Sequence, residues 1–335
     1  MYRFTVITTL MLILLLPICS ENSSRADYFY ANEISSRAFL NHFRRRPKRS
    51  WEAYPIACEG IYLLDPEDKF RCDLRGDEPF VYCPSWSPSR SLIAYSAGTW
   101  YYSGSLPDGI YIMNADGTNK RRVTIGMDFQ PAWSPDEKRL AFVRSSPTDP
   151  QEHSWLCVLN IATHKIRILY SGDCDIRNPS WSPSGKTIAF ASNHSGKWKI
   201  WLVNANGRVP RILPHQPSGD CVYPNWSQKR NLILFGCTRG STHVFPMELY
   251  TVRPSGSDLH QLPIKNVMCD RVSWSPGGDK ILYLKYGPRW MVIRGKKIPS
   301  SVGTVVLYVS NPDGSHQHQI IPRLGGTKSI SSPDW

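Results

Sequence analysis

Apolar residues in this chain gather in short runs fenced by proline, glycine and serine. One series reads Leu92-Ile93-Ala94-Tyr95, Leu140-Ala141-Phe142-Val143, Ile188-Ala189-Phe190-Ala191, Leu232-Ile233-Leu234-Phe235 and Ile281-Leu282-Tyr283-Leu284. Runs this short, rich in β-branched and aromatic residues, predict strands. After a loop of varying length a second series follows: Ile110-Tyr111-Ile112-Met113, Leu156-Cys157-Val158-Leu159, Ile200-Trp201-Leu202-Val203, Leu249-Tyr250-Thr251-Val252 and Leu307-Tyr308-Val309. Most of these run into Asp116-Gly117, Asn206-Gly207, Ser255-Gly256 or Asp313-Gly314, which tolerate the positive φ of a tight hairpin. A more polar strand comes next, as in Arg121-Arg122-Val123-Thr124 or Arg211-Ile212-Leu213.

A phrase ending in tryptophan precedes each run of the first series and appears once more at the end of the sequence. Its copies fall at Trp86, Trp133, Trp181, Trp226, Trp274 and Trp335, at intervals of 47, 48, 45, 48 and 61 residues. Four continue as Trp-Ser-Pro, at Trp86, Trp133, Trp181 and Trp274, and five carry proline two residues earlier, at Pro84, Pro131, Pro179, Pro224 and Pro333. A period of roughly 40 to 50 residues is the spacing of propeller blades, and four antiparallel strands make one blade. The segments Tyr54 to Cys58, Ile61 to Leu64 and Phe70 to Leu74, with Asp65-Pro66-Glu67-Asp68 as a hairpin, predict strands two to four of a further blade. Ser329 to Trp335 supplies its first strand. The expectation is an all-β, six-bladed β-propeller over residues 51–335, with one blade closed by N- and C-terminal strands so that no sheet edge stays open.

On Pro-x-Trp-Ser-Pro, the apolar strand after it, and Ile110-Tyr111-Ile112-Met113-Asn114-Ala115-Asp116-Gly117, the chain resembles the TolB-like β-propeller repeat family. The likeness covers about residues 51 to 335 and implies the propeller fold. Such repeats occur in periplasmic TolB, in propeller domains of prolyl-oligopeptidase-like peptidases and in many secreted proteins, so the resemblance implies no single activity. TolB has an α/β domain ahead of its propeller, for which the stretch before the first strand here is too short.

Thr5 to Ile18 form an apolar run behind Arg3, followed by Ser20, Ser23 and Ser24. Its length suits a signal peptide over residues 1–20 better than a membrane span. Export, to the periplasm or beyond, is therefore expected, with a membrane anchor as the alternative. Cys19 resembles a lipobox cysteine, with Ile18 where a small residue belongs. Behind the leader, eight cysteines remain: Cys58, Cys72, Cys83, Cys157, Cys174, Cys221, Cys237 and Cys269. An even count in an exported chain suits disulfides. Cys221 and Cys237 are equidistant from Lys229 in a hairpin turn and are expected to face each other and pair. No Cys-x-x-Cys occurs, so zinc is not expected.

The sequence holds 40 Lys+Arg against 27 Asp+Glu, a net charge of +13. That excess favours anionic partners, an anionic envelope surface among them. The charge is dispersed apart from Arg44-Arg45-Arg46-Pro47-Lys48-Arg49, which reads as part of a solvated linker over residues 21–50, and a nucleic-acid partner is not expected.

Strand order sorts the loops onto two faces. The Trp-Ser-Pro turns and Asp-Gly hairpins are short and share one face. Ala97 to Asp108, Ser145 to Ser154, Cys237 to Glu248 and Lys285 to Thr304 are long, vary in length and share the other, where binding tends to reside. The same face receives the segments leading into the innermost strands, with Glu78, Asp128, Asp175, Asp220 and Asp270 beside Arg177 and Arg271. Converging carboxylates suit a cation such as calcium or a basic group, or else accept hydrogen bonds from turn N–H groups. Trp100, Tyr101, Tyr102 and Trp290 add aromatic surface fit for sugar rings or a protein hot spot. His316 and His318 share a strand face but show no third ligand, and the repeated tryptophans read as core.

No Gly-x-Ser-x-Gly occurs, and no residues remain outside the propeller for a hydrolase domain. The leading expectation is an exported, monomeric, non-enzymatic binding or scaffold module without a cofactor, recognising a protein, peptide or glycan on the long-loop face. The alternative is a metal-dependent lyase or hydrolase at the channel mouth.

Overall fold

The computed structural model describes residues 62–64, 70–73, 81–98, 109–145, 154–207, 209–239, 247–286, 290–293, 296–299 and 305–320. The leader, Cys19, the basic linker, Glu78, Trp100, Tyr101, Tyr102 and Ser329 to Trp335 lie outside the described residues.

A hairpin, β1 (Tyr62–Leu64) with β2 (Phe70–Asp73), comes first. The first blade is β3 (Val81–Trp86), β4 (Leu92–Ala97), β5 (Gly109–Asn114) and β6 (Arg121–Arg122). The second is β7 (Asp128–Trp133), β8 (Arg139–Ser145), β9 (Ser154–Asn160) and β10 (Ile166–Ser171). The third is β11 (Ile176–Trp181), β12 (Thr187–Ser192), β13 (Lys199–Asn204) and β14 (Arg211–Ile212). The fourth is β15 (Cys221–Trp226), β16 (Ile233–Thr238), β17 (Met247–Val252) and β18 (His260–Gln261). In the fifth, β19 (Val267–Trp274) and β20 (Ile281–Tyr286) are followed by an inserted hairpin, β21 (Trp290–Ile293) with β22 (Lys296–Pro299), then β23 (Val305–Ser310) and β24 (His318–Ile320). The segment Lys285 to Thr304, expected as a loop, therefore contains two paired strands.

The blade count is corrected: among the described residues there are five four-stranded antiparallel blades, not six, the fourth and fifth bridged where Met247 pairs with Val267. The unit expected from both chain ends contributes the two-stranded hairpin β1–β2. Each of the five described tryptophan phrases ends one innermost strand, whereas a blade needs three more strands beside it, so phrases count candidate blades rather than complete sheets.

The phrase itself now has a physical meaning. Proline has no N–H for the ladder, and the residue before it takes a left-handed φ at Cys83, Gln130, Asn178 and Tyr223. Register shifts at these points, between Tyr82/Ser85, Phe129/Ala132, Arg177/Ser180 and Val222/Asn225, bulge each innermost strand at one equivalent place. The serine closes the following turn. Its hydroxyl accepts the N–H five residues on, as in Arg139 to Ser134 and Thr187 to Ser182, both 3.0 Å. Each of the five described tryptophans stands opposite an aliphatic residue of the second strand, and two residues further on lies a fully buried aromatic: Tyr95, Phe142, Phe190, Phe235 and Tyr283. Burying one such ring stabilises by about 2–3 kcal/mol.

The indoles also join the blades. Trp133 Nε1 donates to Ser85 O at 3.0 Å, Trp181 Nε1 to Ala132 O at 3.1 Å and Trp274 Nε1 to Asn225 O at 3.1 Å, each acceptor belonging to the preceding blade. Trp226 differs: its indole N–H is buried without a partner. Its phrase reads Trp-Ser-Gln, and Gln228 Nε2 donates to Trp181 O at 2.9 Å in the indole's stead.

Candidate functional site

In every blade, the passage from second to third strand and the crossing into the next blade lie at the same end of the sheet. That end carries Asp128, Asp175 and Asp220. Asp128 opens β7 and pairs in register with Arg144 of β8. Its carboxylate has no solvent exposure and receives both arms of the Arg144 guanidinium, Nε to Oδ1 at 2.6 Å and Nη2 to Oδ2 at 2.7 Å. This bidentate bond holds the arginine's pKa above its ordinary value.

The other charged residues form one chain across the seam between the third and fourth blades. Asp175 lies 3.6 Å from Arg177, both less than one-fifth exposed. The Arg177 guanidinium sits over the Trp198 ring at 4.6 Å, a geometry in which the ring quadrupole attracts the cation. The Trp198 N–H donates to Asp220 Oδ1 at 2.9 Å, and its carbonyl accepts the Cys221 N–H at 2.8 Å. Asn193 Oδ1 accepts the Asp175 N–H at 2.8 Å. Lys199 donates to Pro217 O and Gly219 O, and burial, with Lys197 adding repulsion, holds its pKa below the ordinary lysine value against the pull of Asp220.

Two features pin this seam. A Cβ at position 219 would meet Thr238 O at 1.9 Å, so only glycine fits. Cys221 and Cys237 face each other across β15–β16 with Cα atoms 4.2 Å apart and are joined by the predicted disulfide. Asp220 Nα–H donates to Thr238 Oγ1 beside them at 3.0 Å.

The structure thus brings Asp175, Arg177 and Asp220 into one network and places Asp128 in a separate buried pair. Asp270 and Arg271 lie on β19 and Trp290 on β21, with their side chains outside the described residues. Trp198, Lys199, Asn193 and Arg144 were missed in the sequence. The signal was weak: Trp198-Lys199 looks like the start of an ordinary strand, and nothing local ties Arg144 to Asp128. Among the described residues, no group of three or more His, Cys, Asp or Glu is placed to share a metal ion. In this network a cation stacks on an indole between two carboxylates.

Residues 105–315 match the family described as the TolB beta propeller domain, and the chain belongs to that family. It is 25% identical over 274 residues to the Tol-Pal system protein TolB of Francisella tularensis subsp. holarctica, covering 78% of this chain and 55% of the relative. To dipeptidyl-peptidase 5 of Porphyromonas gingivalis it is 26% identical over 237 residues, covering 64% of this chain and 33% of the relative. The chain therefore spans about half and about a third of these two proteins. The solved TolB from Acinetobacter baumannii superposes with a TM-score of 0.60 at 17% identity, covering 79% of this chain and 61% of that one, a likeness of fold.

Proposed function

We propose that the protein is an exported, non-enzymatic binding or scaffold propeller that recognises a protein or peptide partner on its long-loop face. The observation that carries this reading is the Asp175, Arg177, Trp198 and Asp220 network, a half-buried recognition surface on the face where the long loops gather. Trp100, Tyr101, Tyr102, Trp290, Asp270 and Arg271 belong to the same proposed surface. Protein partners are supported by family membership and by the relative whose name places it in a Tol-Pal system. Export is supported by the apolar leader and the Cys221–Cys237 disulfide, since such bonds persist in oxidising compartments.

The test is in-cell photo-crosslinking. A photoreactive amino acid at the exposed Lys197, next to Trp198, should give a discrete protein adduct. Arg177→Ala in the same protein should abolish it, while the probe at Thr118, on the opposite hairpin face, should give none. Adducts from Thr118 alone, or an adduct at Lys197 indifferent to Arg177→Ala, would refute the reading.

A further inference from the structure

One strand breaks the pattern of the repeat. The outermost strands β6, β14 and β18 are 2 residues long and β24 is 3, whereas β10 runs for 6. The shorter strands show that a blade of this family needs little at its rim. Leu169 and Tyr170 of β10 pack into the core, whereas its first three residues, Ile166 to Ile168, are exposed.

Among the described residues, its hydrogen bonding leaves an open edge. The Asn160 N–H donates to Lys165 O at 2.9 Å, and the next pairs are Ile166 opposite Leu159, Arg167 opposite Val158 and Ile168 opposite Cys157. Antiparallel pairs alternate between hydrogen-bonded and non-bonded, so the backbone groups of Ile166 and Ile168 point away from β9. The side chains of these two residues are also exposed, Ile168 by 54%. Edges guarded against association carry charge or proline at outward positions; here those positions hold isoleucine.

Charge selects the occupant. Residues 161–172 contain no Asp or Glu and include Lys165 and Arg167. Arg167 donates to Ala205 O and Asn206 O, which fixes β10 against the third blade. A second copy of the chain pairing antiparallel about Ile166 would set Lys165 of each copy opposite Arg167 of the other, and like charges opposite each other destabilise a sheet. The basic run Arg44 to Arg49 is repelled for the same reason.

We propose that the outer edge of β10 is a docking edge, which adds an extended acidic segment of a partner protein as a further strand. Main-chain bonds to Ile166 and Ile168 supply the binding, aliphatic residues of the partner cover the two isoleucines, and acidic residues meet Lys165 and Arg167. This is strand addition with specificity set by alternate side chains. It does not depend on the long-loop face.

The experiment uses the full mature protein and two fluorescent peptides, Glu-Val-Glu-Val-Glu-Val and Lys-Val-Lys-Val-Lys-Val, read by anisotropy. The acidic peptide should bind saturably and the basic one should not. Ile168→Pro removes an outward N–H without touching the β9 ladder and should weaken binding about tenfold, the effect of one lost backbone hydrogen bond. Ile168→Glu keeps the N–H but repels the peptide and should weaken it at least as much; if the proline variant melts early, this variant decides. Failure of the acidic peptide to bind, equal binding of the basic peptide, or indifference to both substitutions would overturn the proposal. So would a wild-type dimer in sedimentation that Ile168→Pro dissolves, since the edge would then belong to a second copy.

Discussion

Asp128 and Arg144 offer the sharpest test of how the long-loop end is built. The carboxylate has no exposure and the guanidinium side chain is 26% exposed, so neither charge is shared fully with solvent. Arg144→Met leaves the carboxylate buried opposite an apolar side chain, and an uncompensated charge of this kind costs about 3–5 kcal/mol. Asp128→Asn costs less, because the orphaned arginine still reaches Ile125 O at 3.2 Å and has an outlet to water. In the double variant no unpaired charge is buried, and much of the Arg144→Met penalty should return as a coupling of about 2 kcal/mol. Urea titration of all four proteins at neutral pH, extrapolated to water, gives the cycle directly. Strictly additive single effects, or an Arg144→Met cost below about 1 kcal/mol, would show that the pair is not a structural unit.

Trp181→Phe should cost about 2 kcal/mol by thermal melting, because it removes the hydrogen bond to Ala132 O and weakens the stacking of Arg139 at 4.6 Å. Trp226→Phe should cost clearly less, its indole N–H having no partner to lose; equal losses would refute this account of the seam. Reducing or replacing the Cys221–Cys237 bond, which spans 16 residues, should cost about 3 kcal/mol by loop entropy, and an unchanged denaturation midpoint would count against it. Burial pushes the Glu248 carboxyl up, but hydrogen bonds from Tyr250 and Arg239 more than reverse this and leave it below its ordinary 4.5. A depressed acid stabilises above its unfolded value and loses that contribution as pH falls through the folded one. Glu248→Gln should therefore lower the melting temperature at neutral pH, with the difference closing in acid; a constant difference would refute the linkage.

The strands were legible because each hydrophobic run is short and each hairpin carries its own turn chemistry, so Leu140 to Val143 and Leu156 to Leu159 announce β8 and β9 without reference to the rest of the chain. The disulfide was legible from the near-equal distance of its cysteines from one turn, and the bulge between Val222 and Asn225 completes the match by setting Cys221 opposite Cys237. The blade count was not, because a tryptophan phrase specifies one strand and leaves its partners unspecified. The site was half legible. Asp175, Arg177 and Asp220 stand out as charges at strand starts, yet their partner Trp198 lies 21 residues beyond Arg177 and meets it through the sheet register alone. Arg144 escaped notice because an arginine ending an apolar strand reads as a solvent-facing terminus. The exposed isoleucines of β10 are likewise indistinguishable in sequence from core positions, as the register that turns them outward is set by Asn160 and Lys165.

The tryptophan seam has a polarity with an evolutionary consequence. The donor, an indole N–H, belongs to the later blade, and the acceptor, the carbonyl just before the earlier blade's own tryptophan, belongs to the earlier one. Any segment one period long thus carries one half of the joint at its start and the complementary half for its successor. Duplicating or excising such a segment leaves matching halves at every junction, so a gene can change its number of blades in whole periods without inventing a contact. An insertion in a loop leaves the joint alone, whereas one within an innermost strand would shift the indole from its acceptor. The Gln228 amide shows that a joint can also be rebuilt in place, with a neighbouring side chain assuming the link while the indole falls silent.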